Sequence, residues 1–349
     1  MVAEGAFGSA DGIGIGAPIS LPGPGISNPN RPDAGPPRPR VAAMRHSGGM
    51  ANPVQPTPLI LRGRRFDAAH PAVMGVVNRT PDSFYANARF TDLATGLAAV
   101  DRLVAEGADL IDVGGVRAGQ VGPTVAAEEE IDRVGPFLRA VRERHPEVLL
   151  SLDTWRSEVA LACADARIDL VNDTWAGADP ALVGVAAELG AGYVVSHTGG
   201  LPPRTDPVAV TYPPEPDGVV ASVLGGLRTG AERAVAAGVR PEAVLIDPTL
   251  DFGKTTRHSL RVLRATDEVA ALGFPVLQSL SRKDFVGETL DLPVDDRLEG
   301  TLAATALAAW LGAVAFRAHD VRATRRVVDM VASIRGDRPP VLAVRGEPA

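Results

Sequence analysis

Eight short apolar runs in this chain end in residues that can do chemistry, and the residue types are grouped by charge. In order they deliver Asn78 (VVNRTPDSF), Asp112 (DVGG), Asp153 (LLSLDT), Asn172 and Asp173 (LVNDTW), His197 (VVSHTGG) and Asp247 (LIDPTLDFGK). Ser281, Arg282 and Lys283 (LSRKDF) follow, and then Arg317 and His319 (FRAHD). The carboxylates and amide after the second, third, fourth and sixth runs suit a neutral or cationic heterocycle with several N–H donors. The cations after the seventh and eighth suit phosphate oxygens. Any one of these residues is explained equally well as a cap on a strand or on the next helix, but eight together, with like signs grouped, are not. Lysine usage points the same way. Of the 35 Lys and Arg only two, Lys254 and Lys283, are lysines, which leaves 33 arginines. Both stand just beyond apolar runs, and an ammonium is a compact point charge that a guanidinium does not replace.

To bring these residues to one rim, the runs must be parallel strands. Residues 73–77, 110–113, 148–152, 169–171, 193–195, 243–246, 275–277 and 313–316 have the length and apolar texture of strands buried on both faces. Between them lie amphipathic helical patterns, for example over 93–107, 126–144 and 219–238, with apolar positions three and four apart. Eight such units over about 265 residues predict an α/β fold, the (β/α)8 TIM barrel, whose ligand site is built at the carboxyl ends of the strands. A doubly wound open sheet fits less well, because the first strand lacks a dinucleotide-binding glycine fingerprint.

The 349 residues, 45% hydrophobic and 22% charged, are those of a soluble globular protein, and a net charge of −7 gives no general field for nucleic acid. A single cysteine, Cys163, excludes an internal disulfide framework and fits a cytoplasmic location. No signal peptide and no membrane segment are read; the near-apolar stretch 301–316 is too short to span a bilayer and reads as a helix running into a strand. Residues 1–65, rich in Gly, Pro, Ser and Ala, read as a disordered extension, followed by a barrel over 66–340 and a tail over 341–349.

The ordered set of motifs resembles dihydropteroate synthase. It comprises Asn78-Arg79-Thr80-Pro81-Asp82-Ser83-Phe84, Ser151-Leu152-Asp153-Thr154, Asn172-Asp173, His197, Asp247-Pro248 with Phe252-Gly253-Lys254, Ser281-Arg282-Lys283 and Arg317-Ala318-His319-Asp320. The resemblance implies a barrel that binds 6-hydroxymethyl-7,8-dihydropterin pyrophosphate, expels pyrophosphate with Mg²⁺ and joins the pterin to 4-aminobenzoate. It implies that Asp153, Asn172 and Asp247 bind the pterin ring and that Lys283 reaches it from the side. Asn78, near Mg²⁺, would hold the pyrophosphate together with Arg317 and His319. Lys283, Asp247 and Asp82 are the catalytic residues expected on this basis, and a homodimer is the expected assembly. No role for Lys254 carries over.

The second loop departs from the family pattern Gly-Gly-Glu-Ser-(Ser/Thr)-Arg-Pro-Gly, reading Gly114-Gly115-Val116-Arg117-Ala118-Gly119-Gln120, and the first carries Arg79 and Tyr85-Ala86-Asn87. These changes resemble those in divergent second copies of the enzyme. The expectation is a dihydropteroate synthase-like protein of weak activity, and the alternative is an inactive paralogue that binds a pterin or phosphorylated ligand. A corrinoid-type methyl carrier on a similar barrel is disfavoured, because methyl transfer gives the cationic rim no task.

Overall fold

Along each strand of the barrel, alternate side chains point to opposite faces, so a shift of two residues moves one level up the interior. The computed structural model describes residues 53–79, 92–117, 124–203, 208–214 and 218–345. A two-stranded antiparallel hairpin, β1 (Leu59–Leu61) and β2 (Arg64–Phe66), precedes the parallel strands β3 (Ala72–Asn78), β4 (Leu110–Gly114), β5 (Leu149–Asp153) and β6 (Leu170–Asp173). These continue as β7 (Gly192–Ser196), β8 (Val244–Asp247), β9 (Leu277–Ser279) and β10 (Ala315–Ala318). The parallel strands pair in the order β8-β7-β6-β5-β4-β3-β10-β9. A bridge between Ile246 and Val276 joins β8 to β9 and closes the ring. All eight predicted strands are present, and the fold is the (β/α)8 barrel.

Helices α1 (Leu93–Ala105), α2 (Ala127–Arg144), α3 (Ser157–Ala162), α4 (Leu182–Glu188) and α5 (Val219–Ala236) lie outside the first strands. They are followed by α6 (Thr256–Arg264), α7 (Thr266–Ala270), α8 (Asp284–Leu290), α9 (Leu298–Trp310) and α10 (Val321–Arg335). Outward strand residues such as Ile111, Leu150, Val171 and Ile246 pack with the helices in one continuous apolar cluster. The inward residues form a second cluster of Met74, Leu110, Leu149, Leu170, Val194, Leu245, Leu277 and Ala315. Two residues further along, the interior turns polar: Asp112 follows Leu110, Ser151 follows Leu149, Asn172 follows Leu170, Asp247 follows Leu245, Ser279 follows Leu277 and Arg317 follows Ala315.

The hairpin corrects the boundary drawn at residue 65. Leu59 and Leu61 are fully buried and Phe66 nearly so, all within the inner apolar cluster, where they plug the barrel from the end opposite the polar layer. Its three-residue strands are too short to show a period. The only sequence signal is the two-residue turn Arg62-Gly63, in which both residues have positive φ (44° and 75°), the requirement of a tight hairpin turn. Arg62 donates to the Glu147 carbonyl at 2.8 Å, and Arg64 pairs with Asp109 at 2.9 Å. At Gly192 of β7 a Cβ would stand 2.6 Å from Leu61, so a glycine is needed where the plug meets the wall. Residues 1–52 and 346–349 lie outside the described residues.

Leu61→Ala should cost about 2–5 kcal/mol, because a rigid barrel collapses poorly onto a void. Thermal denaturation should show a fall of roughly 5–15 °C, and an unchanged melting temperature would exclude the plug.

Candidate functional site

Arg317 stands at the centre of the polar layer. Its Nε donates to Asp112 Oδ2 at 2.7 Å and its Nη2 to Asp153 Oδ2 at 2.9 Å. Asp112 is fully buried and also accepts from Ser151 Oγ at 2.5 Å and Asn172 Nδ2 at 3.2 Å. Asp153, one level higher, accepts a second bond from Thr174 Oγ1 at 2.5 Å. The acidic and basic sides expected from the sequence are thus not kept apart: one guanidinium bridges the carboxylates of β4 and β5. Burial raises the Asp153 carboxyl to about 7, with Arg317 opposing the shift and Asp112 adding to it.

Across the mouth, Asp247 accepts from the Thr249 N–H at 2.7 Å and from Ser279 Oγ at 2.9 Å. Lys283 donates to the Leu250 carbonyl and lies 4.9 Å from the centroid of the Phe252 ring. Its pKa is lowered by burial and held up by the carboxylates of Asp251 and Asp247. Three non-glycine residues at these strand ends, Thr249, Asp251 and Arg282, have positive φ, a conformation that persists only where contacts over-determine it. Lys254 supplies such contacts. Buried to 2% exposure, its Nζ donates to the carbonyls of His197 (2.7 Å), Phe252 (2.9 Å) and Thr249 (3.2 Å), using all three protons to bind the loop after β8 to the loop after β7.

Two members of the cationic group take other parts than the sequence suggested. Arg282 is held by Asp320 at 2.9 and 3.1 Å and by the carbonyls of Val294 and Asp295, so it braces the loops after β9 and β10. His319 meets Ser281 Oγ through Nδ1 at 3.0 Å, and burial, then Arg317, lowers its pKa to about 4. At neutral pH it is an uncharged imidazole. Asn78 ends β3, half-buried at the same mouth. Asp82 and Tyr85-Ala86-Asn87 lie outside the described residues, as do Ala118, Gly119 and Gln120.

Sequence reasoning named Asp112 at its strand end without giving it a role, and it missed Thr174, Ser279 and Trp175. The parity rule finds Asp112 and Ser279, since each stands two residues after an inward Leu, as Asp247 does. Trp175 has no such signal. It packs edge-on to Trp155 and Phe252 (centroids 6.5 and 5.5 Å), making an aromatic wall from the end of β5 to the end of β8.

The raised Asp153 fixes a sign for pH dependence. Between about pH 4 and 7 the folded chain keeps a proton that the unfolded chain has released, so stability falls as pH rises through that window. Urea unfolding at the two ends should differ by roughly 2–4 kcal/mol from this group, and Asp153→Asn should flatten the slope. A slope that the substitution leaves unchanged would refute the shift.

A family model described as pterin binding enzyme matches residues 74–319. The inactive dihydropteroate synthase 2 of Mycobacterium leprae is 56% identical over 288 residues, covering 82% of this chain and 98% of that protein. The dihydropteroate synthase of Escherichia coli is 32% identical over 283 residues, 80% of this chain and 98% of that one. The structure of Xanthomonas albilineans dihydropteroate synthase with 4-aminobenzoic acid matches with a TM-score of 0.70 at 34% identity, covering 80% of this chain and 98% of that chain. With strand order, polar layer and these likenesses in agreement, the chain belongs to the pterin binding enzyme family, as a dihydropteroate synthase-like protein.

Proposed function

We propose that this protein binds 6-hydroxymethyl-7,8-dihydropterin pyrophosphate at the barrel mouth and condenses it with 4-aminobenzoate only weakly or not at all. The observation that carries the reading is the unequal state of the two halves of the site. The pterin half stands on strand ends: each oxygen of Asp247 and Asp153 already accepts one hydrogen bond and keeps capacity for another, which suits the guanidine-like edge of a pterin. Asn172 and Lys283 flank them. Asp112 is fully buried beneath three donors, Ser151, Asn172 and Arg317, so it orients Arg317 and Asn172 without touching ligand. In the aminobenzoate half, the family's acid is replaced by Val116, which is buried at 6% exposure and offers no polar group.

In a condensation, Asp247 and Asp153 would hold the ring while Arg317 and the neutral His319 faced the departing pyrophosphate, stabilising negative charge as it develops. Lys283 would support the ring from the Phe252 side, and the role of Asp82 follows from the resemblance alone. Mg²⁺ takes few protein oxygens and fills its shell with substrate phosphates and water. Asn78 supplies one such oxygen at the end of β3, and the ion would neutralise pyrophosphate charge when bound.

A homodimer is proposed for the assembly. It is supported by α9, whose LEGTLAATALAAW sequence is apolar on both faces with Leu307 exposed, and by exposed Met330 and Ile334 on α10. A cytoplasmic location is proposed from the free, buried Cys163. Among the described residues no helix is long and apolar enough to cross a membrane.

A pyrophosphate-release assay with the dihydropterin pyrophosphate, with and without 4-aminobenzoate, tests the reading. Turnover should lie at least ~10²–10³ below that of a synthase with the usual second loop, the scale for losing one well-placed transition-state donor. Replacing residues 116–121 with Glu-Ser-Thr-Arg-Pro-Gly should raise it. Ordinary turnover of the unaltered chain would overturn the proposal.

A further inference from the structure

A cavity of about 250 Å³ opens at the amino-terminal end of the barrel, opposite the mouth. It is framed by the hairpin turn at Arg62, by residues 164–169 leading into β6, by Leu189 and Gly190 before β7 and by Arg240 before β8. The space is smaller than the ~300–1,000 Å³ of sites for drug-sized molecules, so its occupant has the size of an inorganic anion or of one headgroup.

The lining is unbalanced in charge. It carries three arginines, Arg62, Arg167 and Arg240, against one carboxylate, Asp169, in a chain whose net charge is −7. That carboxylate is already committed: its Oδ2 accepts from Arg142 Nη2 at 2.7 Å and from the Leu150 N–H at 2.8 Å. Arg62 reaches the other oxygen only at 3.7 Å, and its Nη2 holds the carbonyls of Glu147 and Val148 at 2.8 and 3.3 Å. The guanidiniums of Arg167 and Arg240 enter no hydrogen bond or salt bridge among the described residues. The acids on the flanking turns, Glu147, Asp165, Glu188 and Glu242, do not line the cavity, and Asp165 is taken by Arg139 at 3.2 Å.

The backbone gives an independent reason to look here. Arg167 is left-handed (φ 53°, ψ 66°), a conformation that glycine or asparagine adopts at lower cost. Its carbonyl is clamped by Arg142 Nη2 at 2.7 Å, a bond that any residue at 167 could accept. Arg62 at the hairpin turn also has positive φ, but its carbonyl bonds account for its side chain. Nothing within the protein accounts for the side chain of Arg167. A residue kept against the local preference, with no internal contact to repay it, is explained by something that it binds.

We propose that this cavity is an anion site, separate from the barrel mouth, for a phosphate group held by Arg167 and Arg240 with Arg62 beside them. Guanidinium forks match phosphate oxygens two at a time. Charge selects among oxyanions: two uncommitted guanidiniums balance the roughly −1.5 to −2 of a phosphate ester at neutral pH, whereas a carboxylate would leave one of them uncompensated. The site shares no residue with the mouth, so it stands or falls independently of the synthase reading.

The test is calorimetric titration of the full chain, at fixed ionic strength, with inorganic phosphate, glycerol 3-phosphate and acetate, in the wild type, Arg167→Gly and Arg240→Gln. Glycine suits the left-handed backbone at 167, so that variant keeps its fold. The wild type should bind a phosphate probe more tightly than acetate, and each variant should bind it at least about tenfold more weakly, the scale of a lost charged hydrogen bond. Phosphate that binds at the mouth is common to all three proteins, so the difference between them reads this cavity alone. The stronger phosphate probe tells whether the natural ligand is the free anion or an ester whose remainder lies outside. Equal binding of both phosphate probes by the three proteins, acetate bound as tightly as phosphate, or no binding of either phosphate probe to the wild type at about 10 mM would overturn the proposal.

Discussion

The bridge from Arg317 to Asp112 and Asp153 is the interaction on which the mouth of this barrel depends. A carboxylate facing the inside of a parallel barrel is removed from water on every side, at a cost of several kcal/mol unless it is paired and hydrogen-bonded. Asp112 meets that condition with Arg317, Asn172 and Ser151, and Asp153 with Arg317 and Thr174. Below this level the interior is closed by Leu59 and Leu61 of the hairpin, so polar side chains are kept to the upper half of the barrel. The plug and the bridge therefore set how deep a ligand can reach.

On the proposed function, the same division accounts for a pterin half that is kept while the aminobenzoate half is lost. Side chains on strand ends are fixed by the core beneath them. A side chain carried on a loop depends on the loop's own residues. Lys254 extends the rigid part beyond the strands by tying three loop carbonyls to one buried ammonium, which holds Thr249 and Asp251 in left-handed conformations next to Asp247. Divergence at Val116 leaves all of this in place.

Much of the architecture was legible in the sequence because a parallel barrel strand is an unbroken apolar run with a polar end, and eight such runs in order allow few other folds. The placement of Asp153, Asn172, Asp247, Lys283, Arg317 and His319 at one mouth was legible for that reason. The hairpin was hidden by its brevity, since three residues cannot display a period. The charge state of His319, the bracing role of Arg282 and the cage around Lys254 were hidden for another reason. They depend on what faces the side chain across a loop, and strand-end position says nothing about that. Asp112 was visible, but its burial beneath Ser151, Asn172 and Arg317 could be read only from its partners.

The central claim is that the pterin end of the site persists as a working binding site. Calorimetric titration of 6-hydroxymethyl-7,8-dihydropterin pyrophosphate with Mg²⁺ into the wild type and Lys283→Ala tests it most directly. The account predicts saturable binding to the wild type and a loss of about 1.5–3 kcal/mol on removal of the ammonium. No binding to the folded wild type, or equal affinity in the two proteins, would contradict it.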